Sequence, residues 1–256
     1  MDKRIGAQFY TVRDFCQTAE DLDATFEKVS SMGYKVAQMS GIGSIPAEEI
    51  KKSADKYNVE ICCTHRGFDE FLPENIEKTI EFHKTIGCRI AGIGGLPMEY
   101  RGDVESIRKF IKQANKAAET LKENGLTFGY HNHCFEFIKF DGKYMMDYIL
   151  EETNPEAFKF ILDTYWLAYA GISVVDFMDK VSDRIAILHY KDLAIENGYD
   201  IIMAEIGSGN LDWDKIIAKS FETSAEFAVV EQDTCKGNPF DSLKISYDYL
   251  AKKGFC

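Results

Sequence analysis

The sequence predicts an α/β protein whose chain forms a single (β/α)8 TIM barrel domain over residues 1–256. A length of 256 residues is typical of one such barrel. Short apolar segments alternate with helical segments at a spacing of roughly 30 residues, which matches one βα unit. The apolar segments show little polar alternation, as expected for parallel strands covered on both faces. An open doubly wound sheet is the alternative, but no G-x-G-x-x-G sequence follows the first strand, which disfavours dinucleotide binding.

The first half of the chain supplies four predicted strand–helix pairs. Leu22, Phe26 and Val29 share one face of the first helix, and Gly33 is a typical C-terminal stop. Pro46 suits the N-terminus of the second helix. The predicted elements are strand Ile5–Phe9, helix Asp21–Met32, strand Lys35–Met39, helix Pro46–Tyr57, strand Val59–Thr64, helix Pro73–Ile86, strand Arg89–Ile93 and helix Val104–Asn124.

The second half repeats this pattern without a Pro- or Ser-rich linker, which favours one domain. Its predicted elements are strand Leu126–Asn132, helix Tyr144–Glu151, strand Phe158–Leu162, helix Val174–Val181, strand Ile185–Tyr190, helix Trp213–Lys219, strand Phe227–Glu231 and helix Leu243–Lys252.

Composition limits the cellular compartments and binding partners that we expect for this protein. The formal net charge of −12 argues against a nucleic-acid partner, because an acidic surface repels phosphates. The seven cysteines are odd in number and lack C-x-x-C spacing, which disfavours a disulfide framework and a zinc knuckle. No signal-peptide segment follows Met1, and no apolar run is long enough to span a membrane. We therefore expect a cytoplasmic protein with no membrane partner.

Polar residues stand where the predicted strands end. Four of the five histidines occupy such ends, and carboxylates follow the apolar strands 6 and 8 directly. Active sites of barrels are built at this edge from several strands, so these groups should converge. Converging polar groups on an apolar scaffold need a partner, and a divalent cation would supply it. The residues concerned are His65, His131, His133, Asp163, His189 and Glu231.

Structural roles compete with this interpretation for some residues. His83 lies within a predicted helix, where a surface position or packing between helix and sheet is the expected role. Asp163 precedes Thr164 and could cap a helix, whereas glutamate is a poor cap, so Glu231 is the more diagnostic carboxylate.

Several segments together resemble the xylose-isomerase-like superfamily, which includes sugar and sugar-phosphate isomerases and epimerases, inosose dehydratase and endonuclease-IV-like barrels. The resemblance covers nearly the whole chain and is more specific for the superfamily than for one reaction. The segments are Gly6–Asp14, Gly33–Tyr34, Tyr130–Phe137, Ile161–Thr164, Ile187–Asp192, Ile206–Trp213 and Val230–Glu231.

The resemblance implies one bound divalent cation, most often manganese, with zinc or cobalt as alternatives. By position, Asp163, His189 and Glu231 correspond to three of the family's ligands. His131 stands in place of the family's strand-5 glutamate, and Glu136 is a rival for that position. Strand 2 carries Gln38 where many relatives have glutamate.

The family's chemistry implies a metal-dependent sugar isomerase or epimerase. Deprotonation alpha to a carbonyl would give a metal-stabilised enediolate. Glu231 is the expected base, and His133 or Glu136 would handle the proton on the opposite face.

Five further residues are predicted to contact a small sugar or sugar-derived substrate. Lys191 has an alternative structural role, a salt bridge with Asp192 or Glu205. The absence of a Gly-rich phosphate cradle favours an unphosphorylated substrate. The five predicted contacts are His65, Lys191, Gln8, Trp166 and Arg13.

Other functions stay open at this point. A lyase or dehydratase acting on inososes or 3-keto-glycosides, alone or with a partner subunit, would share the first chemical step. A carbohydrate-binding barrel without catalysis would keep only the scaffold. A nuclease of the endonuclease-IV type is disfavoured by the acidic charge and the few histidines. Both a homo-oligomer and a complex with a partner subunit are compatible with the sequence.

Overall fold

The computed structural model describes residues 1–256, and its centre is a closed barrel of eight parallel strands. Around the barrel the strand order is β1-β12-β9-β8-β5-β4-β3-β2. This confirms the predicted fold class, and every predicted strand has a counterpart in the barrel. The twelve strands are β1 Ile5–Gln8, β2 Val36–Met39, β3 Glu60–Arg66, β4 Ile90–Ile93, β5 Thr127–His131, β6 Lys139–Phe140, β7 Lys143–Tyr144, β8 Phe158–Asp163, β9 Ile185–Tyr190, β10 Asp192–Glu196, β11 Asp200–Ala204 and β12 Phe227–Val230.

Nine helices surround the barrel, and short polar residues begin several of them. Thr18 accepts a hydrogen bond from the Asp21 amide at the start of the first helix. The last helix begins at Pro239 rather than the predicted Leu243, because Asn238 caps it and proline suits the first turn. The helices are α1 Ala19–Met32, α2 Ala47–Lys56, α3 Ile76–Ile86, α4 Val104–Glu123, α5 Met145–Glu152, α6 Thr164–Tyr169, α7 Val174–Lys180, α8 Trp213–Ser220 and α9 Pro239–Lys252.

The elements absent from the sequence prediction are the short helix α6, four 3-10 turns and two antiparallel hairpins. The hairpins, β6–β7 and β10–β11, lie outside the barrel sheet. None of the helices is both long and apolar enough to cross a membrane.

Two layers of side chains, two residues apart along the strands, fill the barrel interior near its carboxyl end. Because side chains alternate across a strand, residues at i and i+2 share the interior face. The lower layer is apolar or glycine, and the upper layer is polar. The lower layer contains Gly6, Val36, Cys63, Gly92, Gly129, Ile161, Ile187 and Val229, and the upper layer Gln8, Gln38, His65, His131, Asp163, His189 and Glu231.

Two glycines make room for Ile161 in the lower layer. A Cβ at Gly92 would lie 2.5 Å from the Ile161 Cδ1 atom and 2.5 Å from the Thr64 carbonyl oxygen. A Cβ at Gly129 would lie 2.8 Å from the same methyl group. Such contacts are tighter than a packed core tolerates, so larger residues at these positions would displace the strands beneath the polar layer.

The fifth histidine, His83, packs between helix and sheet, which is one of the two structural roles that the sequence left open. Its side chain is fully buried. The Nε2 atom lies 2.8 Å from the Thr64 hydroxyl, and Nδ1 lies 2.6 Å from the Thr79 carbonyl oxygen. Both ring nitrogens are thus used within the fold, which leaves His83 outside the candidate site.

Candidate active site at the barrel mouth

Two histidines and two carboxylates of the upper layer form a buried cluster. His131, Asp163, His189 and Glu231 each place one nitrogen or oxygen atom within 4.8 Å of the others. These residues come from, or directly follow, four adjacent strands, β5, β8, β9 and β12. The cluster could therefore hold a divalent metal ion with mixed nitrogen and oxygen ligands.

Inside the cluster the imidazoles face the carboxylates directly. His131 Nε2 lies 3.3 Å from Asp163 Oδ2. His189 Nδ1 lies 3.0 Å from Glu231 Oε2 and 3.8 Å from Asp163 Oδ2. Burial opposes a charge on His189, but the two carboxylates outweigh it and raise its pKa to about 9. The two carboxylates thus stabilise a positive charge between themselves and the imidazoles, and either a proton or a metal ion can provide it.

The outer nitrogen of each imidazole is fixed by an oxygen acceptor. His131 Nδ1 lies 3.1 Å from the Gly94 carbonyl oxygen, and His189 Nε2 lies 2.9 Å from Gln38 Oε1. Because these oxygens can only accept, they favour the tautomer with the hydrogen on the outer nitrogen. When a metal replaces the proton on the inner nitrogen, each ring would direct its inner lone pair into the cluster, as metal-binding histidines do.

Asp163 caps a helix with one oxygen and faces the cluster with the other. Its Oδ1 atom accepts a hydrogen bond of 3.0 Å from the Trp166 amide and caps α6. Its Oδ2 atom faces His131 and His189. Lys191 and the histidines outweigh the effect of burial and lower the pKa of Asp163, so its carboxylate is ionised.

Lys191 is a buried cation beside the cluster. Its Nζ atom lies 2.7 Å from Asp233 Oδ1, 3.3 Å from Glu231 Oε2 and 3.6 Å from Asp163 Oδ2. Burial disfavours the ammonium, but the three carboxylates raise the pKa of Lys191 above its usual value. Lys191 therefore pairs with site carboxylates rather than with the Asp192 or Glu205 that a purely structural role would use.

Asp192 instead stabilises, through hydrogen bonds, the segment that follows β9. Its carboxylate accepts a 2.7 Å hydrogen bond from Trp213 Nε1 and further hydrogen bonds from four backbone amides. These amides belong to Leu193, Gly207, Gly209 and Leu211. A carboxylate with five donors holds the β10–β11 hairpin and the Gly207 loop in one arrangement at this side of the mouth.

A cavity of about 200 Å³ opens above the cluster. Five predicted site residues line it, and four others also contribute. The predicted ones are His65, His131, His133, Lys191 and Glu231, and the others are Tyr10, Ser40, Gly94 and Asp233. Strand alternation could have identified Ser40 and Asp233, because each lies two residues beyond an upper-layer residue, Gln38 and Glu231 respectively.

Three predicted substrate contacts lie beside the cavity rather than in its lining. Gln8 Nε2 donates a hydrogen bond of 2.9 Å to Glu231 Oε1. The Arg13 guanidinium lies 4.3 Å from the centre of the Tyr10 ring and donates to the Asp233 carbonyl oxygen. The third residue, Trp166, packs against the His133 ring at 5.2 Å.

Three ring nitrogens around the mouth are buried without a hydrogen-bond partner: His65 Nε2, His133 Nδ1 and Trp166 Nε1. Burial, followed by the neighbouring His131, lowers the pKa of His133 to about 3. His133 is therefore neutral near pH 7, and a ligand hydroxyl is the kind of partner that these nitrogens lack.

Glu136 is not brought to the cavity. Its Oε1 atom accepts a 2.8 Å hydrogen bond from the Tyr130 hydroxyl, and Oε2 accepts one of 2.8 Å from the His133 amide. The carboxyl is fully buried, and burial raises its pKa to about 7 against the opposing effect of these donors. The contacts hold the backbone of His133 in place.

The raised pKa of Glu136 predicts a pH-dependent stability. Its ordinary pKa of 4.5 applies to the unfolded chain and about 7 to the folded one, so the folded state retains the proton longer. The contribution of Glu136 to the free energy of unfolding should then fall, by about 3 kcal/mol, as pH rises from 4.5 to 7. The lowered pKa values of the buried His83 and His133 act in the opposite direction in every variant, so the Glu136 contribution is measured as a difference between slopes. Urea unfolding across this range should show Glu136→Gln gaining stability relative to the wild type as pH rises, and Glu74→Gln, at an exposed position, keeping the wild-type slope; equal slopes in all three proteins would contradict the assignment.

A family model described as the xylose isomerase-like TIM barrel matches residues 26–237. The chain belongs to this family. This xylose isomerase-like barrel is also similar to inosose dehydratases. The protein of that name from Mesomycoplasma hyopneumoniae is 23% identical over 265 residues, which cover 89% of this chain and 87% of that protein. The one from Geobacillus kaustophilus is 22% identical, covering 89% and 86%.

Solved structures establish the same fold for this xylose isomerase-like barrel. A sugar phosphate isomerase/epimerase from Parabacteroides distasonis superposes with a TM-score of 0.78 at 24% identity, covering 97% of this chain and 93% of that one. An L-ribulose 3-epimerase superposes with a TM-score of 0.75 at 14% identity, covering 98% and 94%. The chain thus belongs to the xylose isomerase-like family, is similar in sequence to inosose dehydratases and shares its fold with epimerases.

Proposed function

We propose that this chain is a metal-dependent sugar isomerase or epimerase that removes the proton alpha to a carbonyl of a small sugar or sugar-derived ketone. The observation that carries the proposal is the buried cluster, in which two imidazoles with fixed outer nitrogens face two carboxylates. A divalent metal bound by His131, Asp163, His189 and Glu231 would polarise the substrate carbonyl as a Lewis acid.

Glu231 is the proposed base. It lines the cavity, and Lys191 and His189 outweigh burial and hold its pKa well below its ordinary value, so it is ionised. Gln8 donates to Oε1 and fixes the orientation of the carboxylate. A proton taken from the substrate carbon would be held on this carboxyl and returned to the same or the neighbouring carbon.

His133 is the proposed partner for the proton on the other face of the substrate. Its Nδ1 atom is unpaired, and its ring stacks on Phe135 with centroids 5.2 Å apart. Glu136, the alternative expected from the sequence, acts in this proposal as a positioning residue, since it does not line the cavity and its oxygens hold the Tyr130 hydroxyl and the His133 amide.

The charges around the cavity favour an unphosphorylated substrate. Lys191 is committed to three carboxylates, and Arg13 donates to the Tyr10 and Asp233 carbonyl oxygens. No cationic side chain among the cavity residues is left to pair with a phosphate. A cavity of about 200 Å³ is also smaller than the roughly 300–1,000 Å³ typical of drug-sized ligands, which suits a single sugar ring.

Dehydration is the second candidate, favoured by the relatives named inosose dehydratase. It would begin with the same proton abstraction and end with the loss of a hydroxyl at the beta carbon. His65, which lines the cavity with an unpaired Nε2, is placed to contact such a hydroxyl.

Hydrogen exchange in D2O tests the proposal whichever product forms. Metal-loaded protein is incubated with free ketoses and with inososes, and NMR follows deuterium entering the carbon next to the carbonyl. We expect exchange that stops when a chelator removes the metal. A new stereoisomer or aldose indicates isomerase or epimerase activity, and an unsaturated ketone indicates dehydration. Absence of exchange with every ketone would contradict the proposal and favour a carbohydrate-binding barrel.

A further inference from the structure

We infer that this site prefers Zn²⁺ or Co²⁺ over Mn²⁺. The reason is that four residues of the site can each donate only one atom to a metal, and two of these four atoms are imidazole nitrogens. The inference rests on the proposed function, since it concerns the metal of the same site. It departs from the manganese that the family resemblance implies, and it is carried by the hydrogen bonds around the four ligands.

Each carboxylate of the cluster can offer only one oxygen. Asp163 Oδ1 accepts the Trp166 amide at 3.0 Å, which leaves Oδ2 for a metal. Glu231 Oε1 accepts the Gln8 side-chain amide at 2.9 Å, which leaves Oε2. Two-oxygen binding by either carboxylate would compete with one of these hydrogen bonds, of which the first is partly buried and the second fully buried.

The third carboxylate near the cluster does not belong to it and is paired with Lys191. Asp233 is the remaining one, and its Oδ1 atom lies 2.7 Å from Lys191 Nζ. Removing Asp233 from this pair would leave a buried ammonium with weaker compensation. The protein therefore supplies two carboxylate oxygens, fewer than the oxygen-rich set that Mn²⁺ favours.

The other two ligands are imidazole nitrogens, and the orientation of each ring is fixed by an acceptor on a different part of the barrel. The Gly94 carbonyl oxygen, beyond β4, fixes the His131 ring, and Gln38 on β2 fixes the His189 ring. Gln38 is fully buried, and its neutral amide orients His189 without adding a third negative charge. A set of two nitrogens and two oxygens with few further ligands is typical of zinc-like ions.

Metal competition compares the wild-type protein with His131→Glu, in which a third carboxylate replaces one nitrogen. Affinities for Zn²⁺, Co²⁺ and Mn²⁺ are measured against a fluorescent chelator. We expect the ratio of Zn²⁺ to Mn²⁺ affinity to fall at least about tenfold in His131→Glu. His65→Gln is the matched control, because His65 adjoins the cluster without belonging to it, and the ratio should stay at its wild-type value.

The visible spectrum of the Co²⁺-loaded wild type gives an answer even if His131→Glu does not fold. Four-coordinate Co²⁺ absorbs strongly in the visible range, and six-coordinate Co²⁺ absorbs weakly. Strong absorption is the expected result. Weak absorption would overturn the inference, and so would an unchanged affinity ratio in a folded His131→Glu protein. In either case the proposed function still stands if the Mn²⁺-loaded protein catalyses hydrogen exchange into ketones. Failure of the wild type to bind any of the three metals would overturn both.

Discussion

Replacing Glu231 with glutamine is expected to lower turnover by about a thousandfold while the barrel stays folded. The amide cannot accept the substrate proton, and it also removes the charge that faces His189 at 3.0 Å and Lys191 at 3.3 Å. Steady-state kinetics on the substrate identified by hydrogen exchange measures the loss, and circular dichroism confirms the fold.

Asp233→Asn is the matched control for this change. Asp233 is also a cavity carboxylate, but its closest contact is Lys191 and it does not belong to the metal-binding cluster. We expect a smaller loss of turnover than in Glu231→Gln. Because Glu231 is also a proposed ligand, both variants are assayed at saturating metal. Turnover of Glu231→Gln within a factor of about ten of the wild type would remove Glu231 as the base.

His189→Ala is expected to abolish stable metal binding. His189 supplies one of four ligands, and replacing even a residue that only orients a ligand typically costs 10–100-fold in affinity. The loss here should exceed about 100-fold. Mass spectrometry of the purified proteins, after incubation with metal and removal of the excess, measures occupancy. The wild type should carry near-stoichiometric metal and the variant almost none.

His65→Ala provides the comparison for His189→Ala. The His65 ring lies 5.4 Å from the His189 ring and lines the cavity, but its nitrogens are not part of the cluster. It should retain metal while substrate binding weakens. Unchanged occupancy in His189→Ala would exclude His189 from the ligand set, and equal losses in both variants would indicate a general disturbance of the mouth.

The barrel strands were predictable because buried parallel strands leave short apolar runs bounded by turn residues. The two hairpins were missed although both carry a turn signal. Asp141 and Gly142, the two residues between β6 and β7, have positive φ angles of 50° and 84°, as a two-residue hairpin turn requires. Asn197 and Gly198, in the three-residue connection between β10 and β11, have positive φ angles of 49° and 87°. The flanking strands Asp192–Glu196 and Asp200–Ala204 are short and project from the barrel, so the spacing of βα units does not reveal them.

The position of a candidate site residue could be predicted from the sequence only where the residue belongs to a strand or directly follows one. Asp163 ends β8 and Glu231 directly follows β12, and the alternation of side chains directs both into the barrel. Glu136 lies in a 3-10 turn beyond β5, where spacing along the chain no longer fixes direction. Its contact with Tyr130, on the outward face of the strand, could not be read from the sequence.

The two interior layers separate what keeps the barrel folded from what defines its chemistry. Ile161 and Val229 pack in the lower layer, while Asp163 and Glu231, two residues further along the same strands, carry the polar groups. A substitution in the upper layer changes donors and charges without opening a gap in the apolar layer beneath. Evolution can therefore exchange one reaction for another on an inherited scaffold, and an engineer can redesign the upper ring while leaving the packing below unchanged.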